Sequence, residues 1–193
     1  MQSNPVLLVH GFMVGMTVFN KMSAYLTTLG KQVHRFNLQT DRGNLGLDKL
    51  AEQVANYVDT NFGRSQQFDL VGLSMGGLVA RYYVQKLGGG DRVDKLITIS
   101  SPHKGTLTAH LLPLYSCVQM RPNSDFLADL NRDLEALKKV NYTCLWTPYD
   151  FIIVPAESSL LGVGQEIKLS VFSHRMMVRD DRTIKAIAAR LNS

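Results

Sequence analysis

Two cysteines, one tryptophan and six prolines in 193 residues leave little for a cross-linked or extended scaffold. Cys117 and Cys144 have neither CxxC spacing nor a neighbouring histidine cluster, so the reading is two reduced thiols in an intracellular protein, with no metal. No apolar run approaches the roughly 18 residues of a membrane span. The N-terminal MQSNPVLLVHGF has no basic leader, and its apolar stretch, Val6–Val9, is too short for a signal-peptide core. A cytoplasmic location is expected. What is present suits a single domain over residues 1–193: 45% hydrophobic, 19% charged and 8% aromatic residues exclude a disordered or low-complexity chain. A domain of this length buries about 70% of its unfolded surface without staples. The net charge of +5 is concentrated in part at Arg175, Arg179, Arg182, Lys185 and Arg190. Asp180 and Asp181 interrupt that run, which reads as a solvated helix face rather than a docking patch for an anionic surface. No nucleic-acid partner is expected, and nothing in the pattern sets an oligomeric state.

Strand-like and helix-like segments alternate along the chain. Pro5–Val9, Val33–Leu38, Phe68–Leu73, Leu96–Ile99, Thr143–Thr147 and Ile167–Phe172 read as strands. Apolar residues at three- and four-residue intervals predict helices over 19–29, 47–62, 78–87 and 182–191, three of them followed closely by glycine. This alternation predicts an α/β fold with a mostly parallel sheet of about six strands, flanked by helices on both faces. Residues 103–141 contain no clear strand: an apolar irregular front half precedes a helical pattern over Asp125–Lys139. Ligands of open parallel sheets sit at the carboxyl ends of the strands. An insertion following a strand is therefore a candidate cover.

The sharpest chemical signal is Gly72-Leu73-Ser74-Met75-Gly76, with a strand before it and a helix after it. This is the strand–turn–helix context in which a G-x-S-x-G serine is lifted above the sheet as a nucleophile. Serine needs a base, and the base needs an orienting acid. Of His10, His34, His103, His110 and His174, only His174 lies beyond the fifth strand, directly after the expected sixth. Asp150 follows the fifth strand and is the expected acid. Glu157, in the same loop, is the rival; Asp125, Asp129, Asp133 and Glu135 ride a helical pattern where solvent-facing carboxylates are usual. Two aimed backbone N–H groups, each worth about 3–4 kcal/mol to a transition state, would complete the site. They are expected from Met75 and from Phe12, beside a Gly11 that lets the backbone approach. His10 is assigned a structural hydrogen bond rather than proton transfer.

His10-Gly11-Phe12, Gly72 to Gly77, Ser101-Pro102-His103-Lys104-Gly105-Thr106, Asp150 and His174 together resemble the α/β-hydrolase superfamily. Within it the chain is similar to the small bacterial triacylglycerol lipases and esterases, from residue 5 to about residue 190. The resemblance implies a minimal α/β-hydrolase fold lacking the first two strands of larger members. It implies carboxylic-ester hydrolysis through an acyl-serine, with no cofactor. The calcium site and signal peptide that some such lipases carry have no counterpart in this sequence.

Apolar residues near the expected site, Met13, Val14, Leu107, Ile152 and Ile153, suit an acyl chain, with Met16, Met176 and Met177 as further candidates. The expected substrate is a small-molecule or lipid ester, with a transient contact to a lipid surface. An acyltransferase or thioesterase would use the same triad. A non-catalytic binding protein on this scaffold would lack a triad member, and none is missing.

Overall fold

Successive residues of a strand point to opposite faces, and the first strand, β1 (Val6–Val9), is apolar at every position. In the computed structural model, which describes residues 3–193, Leu7 and Val9 enter one core, while Val6 and Leu8 enter another across the sheet. Residues 1 and 2, where the reading of an absent leader and of one domain over 1–193 begins, lie outside the described residues.

Five further strands complete one sheet: β2 (Val33–Phe36), β3 (Phe68–Leu73), β4 (Val93–Ile99), β5 (Asn141–Trp146) and β6 (Gln165–Lys168). Their order is β2-β1-β3-β4-β5-β6, and every pair is parallel. Helices α1 (Asn20–Thr28) and α7 (Asp181–Asn192) bury Met22, Leu26, Ile184, Ile187 and Leu191 on one face. Helices α2 (Leu47–Asn61) and α3 (Met75–Lys86) bury Leu50, Val54, Val58, Leu78 and Val79 on the other. A wholly parallel sheet covered on both sides is what continuous apolar strands demand. Among the described residues, no helix is long and apolar enough to cross a membrane.

Several expected boundaries are corrected: β2 ends at Phe36, β5 runs from Asn141 to Trp146, and α3 starts at Met75. β4 begins at Val93, because Val93 pairs with Phe68 and Lys95 with Asn141, although Asp94 and Lys95 carry polar side chains. β6 is a short, mostly exposed edge strand that ends at Lys168. The Ile167/Leu169/Val171 alternation looks like a longer strand, but after Leu169 the backbone turns, and Val171 is buried without pairing in the ladder. His174 therefore follows an irregular run rather than the strand itself. The helical pattern over Asp125–Lys139 divides into α5 (Asp125–Arg132) and a 3-10 turn over Glu135–Lys139. The front half of the insertion holds a 3-10 turn, Leu107–Leu111, and a short helix α4, Tyr115–Gln119.

Candidate active site

Ser74 is the whole of the turn between β3 and α3. Its backbone, at φ 54° and ψ −121°, lies in a region that costs a non-glycine residue about 1–3 kcal/mol. The flanking glycines are needed for space. A Cβ at Gly72 would come within 2.6 Å of Gly77 Cα, and one at Gly76 within 2.5 Å of the His10 carbonyl oxygen. The loop after β1 runs against this turn so closely that a Cβ at Gly11 would lie 3.1 Å from Ser74 Cβ.

His10 is buried and fixed at both ring nitrogens. Nδ1–H donates to Gly11 O at 2.9 Å, and Nε2 accepts from Leu38 N–H at 2.9 Å. Burial lowers its pKa, which keeps the ring neutral and Nε2 free to accept. The carbonyl and N–H of one planar trans peptide point in opposite directions. Fixing the Gly11 carbonyl thus also fixes the direction of Phe12 N–H. The expectation of a structural hydrogen bond at His10 matches these two contacts. His10→Leu is expected to lower kcat about tenfold with little change in KM, because the peptide bearing Phe12 N–H is released, a loss of about 1.4 kcal/mol. Steady-state kinetics on a chromogenic ester would measure it, and unchanged kcat would detach His10 from the site.

Asp150 and His174 meet. His174 Nδ1 lies 2.8 Å from Asp150 Oδ2, and Asp150 Oδ1 accepts the backbone N–H groups of Ile152 and Ile153 at 2.9 and 2.8 Å. Thr147 Oγ1 donates to Val171 O at 2.6 Å, lashing the loop after β5 to the one after β6. Glu157, the rival acid, is exposed on the 3-10 turn Ala156–Ser159 and makes no contact with His174. His174 opens the short helix α6, His174–Met177. Ser74 and His174 line the same cleft without a direct hydrogen bond in this structure. Such bonds commonly tighten only when substrate engages.

Two spaces flank Ser74. One, about 190 Å³, is lined by Met13, Val14, Val18, His174, Arg175 and Val178. The other, about 370 Å³, is lined by Ala109, Leu111, Leu112, Cys117, Met120 and Ile153. Phe12, Ser74 and Ile152 border both. Of the residues expected near the site, Met13, Val14, Ile152 and Ile153 line one or both of these spaces, while exposed Leu107 lines neither. Met16, Met176 and Met177 line neither as well, and Met177 is part of the core beneath α7. Met75 points its side chain into the opposite core. Thr106, named in the sequence only as the end of the Ser101–Thr106 segment, and Thr108, which the sequence did not single out, hold Ile152 O with their hydroxyls at 2.8 and 2.6 Å, and Arg175 was not marked as a cleft residue. Met13 and Leu111, which line these spaces, are each more than 70% exposed, as are Phe151, next in the chain to Ile152, and Phe172, two residues before His174. Both cysteines are free and buried, and no group of three or more His, Cys, Asp or Glu among the described residues is placed to hold a metal.

A family model described as palmitoyl protein thioesterase matches residues 5–122, more than half of the chain. No curated protein matches the sequence. Among solved structures, a mature lipase of Bacillus licheniformis superposes with a TM-score of 0.81 at 15% identity, over 98% of this chain and 92% of that one. Lipase B of Aspergillus fumigatus gives 0.83 at 18% identity, over 99% of this chain and 53% of the larger relative. An enol-lactonase of Burkholderia xenovorans gives 0.74 at 15% identity, over 100% and 93%. At these identities the likeness is one of fold, and it is the α/β-hydrolase fold.

Proposed function

The chain belongs to the palmitoyl protein thioesterase family, and from that premise we propose that it hydrolyses lipid-like carboxylic esters through an acyl-serine. The observation that carries this reading is His174, paired with buried Asp150, lining the same cleft as Ser74 at its strained turn. Ser74 Oγ attacks the acyl carbonyl while His174 Nε2 takes its proton. The resulting imidazolium keeps its Nδ1–H on Asp150, whose other oxygen is pinned by two backbone N–H groups. The N–H groups of Phe12 and Met75 receive the oxyanion. His174 then protonates the leaving group, and water repeats the sequence on the acyl-enzyme. No cofactor takes part in this scheme. Residues 3–193 act as a single domain, with residues 103–141 as the cover segment, whose front half, from Thr106 to Met120, walls the larger space. The exposed apolar rim supports transient contact with a lipid surface, since such patches favour an apolar partner.

The family match favours a second reading on the same residues, in which the acyl group arrives as a thioester. The test is a series of p-nitrophenyl esters from acetate to palmitate, beside acyl thioesters of the same chains, with Ser74→Ala in parallel. Long-chain preference that vanishes in Ser74→Ala supports the ester reading. A higher kcat/KM for thioesters would favour the second. Activity surviving intact in Ser74→Ala would overturn both.

A further inference from the structure

The two spaces at Ser74 differ in chemistry. The larger is apolar and has no charged side chain on its wall. The smaller carries His174 and, beside it, Arg175. Arg175 is exposed, and the acids that neighbour it are engaged elsewhere: Asp150 by His174, Asp180 by Arg182, Asp181 by Lys21. Arg175 and the exposed Arg179 beyond it have no carboxylate partner among the described residues. The sequence reading of this run as a solvated face is therefore incomplete, because one of its residues, Arg175, lines the cleft.

The direction of the chemistry assigns the two spaces. A general acid must come within about 2.6–3.2 Å of the atom it protonates. The leaving atom has to reach His174, which borders only the smaller space. The leaving group then occupies that space, and the acyl chain takes the larger apolar one.

We propose that the substrate's leaving alcohol or thiol carries an anionic group, a phosphate or carboxylate, received by Arg175. This rests on the acyl-serine reading above. The bond from Ser74 Oγ to the acyl carbon forms as the bond from that carbon to the leaving oxygen or sulfur breaks. The proton lost by Ser74 passes through His174 to the leaving atom. The anion is unchanged and departs with it, and Arg175 supplies charge and paired N–H donors without entering the bond changes.

The test compares 2-nitrophenyl octanoate with its carboxylated counterpart, 4-nitro-3-(octanoyloxy)benzoate, both as dissolved monomers. The quantity read is the ratio of kcat/KM for the anionic over the neutral ester, so differences in intrinsic reactivity cancel between variants. In Arg175→Gln the ratio is expected to fall about tenfold, equivalent to about 1.4 kcal/mol. Arg175→Glu should lower it further and Arg175→Lys should restore part of it. Because the site is exposed, about 0.5 M NaCl should erode the wild-type ratio. A ratio that stays within twofold in both Arg175→Gln and Arg175→Glu overturns the inference. That outcome is distinct from failure of the acyl-serine reading, which would show as turnover of both esters surviving in Ser74→Ala, or as no turnover, and would remove the inference with it. Monoacylglycerol phosphate against monoacylglycerol separates the sources of the anion. Sensitivity to Arg175 in that pair assigns it to a lipid phosphate, and sensitivity confined to the dissolved esters assigns it to a small soluble substrate.

Discussion

Asp150→Asn is expected to lower kcat by about 10⁴-fold while leaving KM and thermal stability nearly unchanged. The size of the effect follows from the orientation in which the new amide would be trapped. Asp150 Oδ1 accepts from two backbone donors, Ile152 N–H and Ile153 N–H. An asparagine there must turn its oxygen toward those donors, which leaves its NH₂ facing His174 Nδ1. Two donors cannot face each other, so the ring shifts its proton to Nε2. That nitrogen is then unable to take a proton from Ser74. The variant keeps its shape and its packing and loses the tautomer. Glu157→Gln, at the exposed rival position, is expected to match wild type. Kinetics on one soluble ester for both variants, with melting curves beside them, would decide between the acids. Retention of more than a tenth of the activity in Asp150→Asn would move the acid elsewhere.

The parts of this site that could be read from the sequence are those whose signal is local. The spacing of Gly72, Ser74 and Gly76 is dictated by contacts within the elbow and with the loop after β1. The apolar runs of β1 and β3 mark buried strands because both sheet faces are covered. Asp150 and His174 were reached by chain order, even though β6 ends earlier than its alternation suggests. Partners fixed by tertiary folding left no such trace. Nothing near Thr147 announces that its hydroxyl will bind Val171 O. Within the basic run, local pattern cannot tell that Arg175 lines the cleft while Arg190 donates to Thr143 Oγ1 across the fold. Leu107 belongs to an apolar stretch whose 3-10 turn sends Ala109 and Leu111 to the wall instead. His103 carried weight in the sequence only as part of the Ser101–Thr106 segment, with no hint of its burial.

That histidine belongs to the strongest structural commitment outside the cleft. Arg81, on α3, is fully buried, and no carboxylate pairs with it among the described residues. Its guanidinium donates to His103 Nδ1 at 3.2 Å, Leu130 O at 3.2 Å, Asn131 Oδ1 at 3.0 Å and Gln85 Oε1 at 3.0 Å. His103 Nε2–H in turn meets Thr98 Oγ1 at 3.1 Å and Tyr142 OH at 3.0 Å. Burial holds His103 well below its usual pKa, so it stays neutral and accepts at Nδ1. Burial also pulls Arg81 down to about 10, which still leaves it charged at neutral pH. Two effects oppose each other when Arg81 is removed. Losing a buried charge relieves several kcal/mol of desolvation. Against it, four acceptors lose their donor at about 1–3 kcal/mol each, and truncation of a long buried side chain adds a cavity cost of about 2–5 kcal/mol. The second group wins, so Arg81→Ala is expected to destabilise by about 4 kcal/mol and lower Tm by about 8–16 °C. Arg81→Met fills most of the volume and should recover about half of that loss. Denaturant and thermal unfolding of the two variants would separate the polar part from the cavity part. A Met variant more stable than wild type would mean that the guanidinium is a net burden, held for another reason. The network also roots the segment that walls the larger space, since Asn131 Nδ2 donates to His103 O at 2.8 Å. Arg81→Ala should therefore raise KM more for long acyl chains than for short ones, tying this stability device to the cleft beside it.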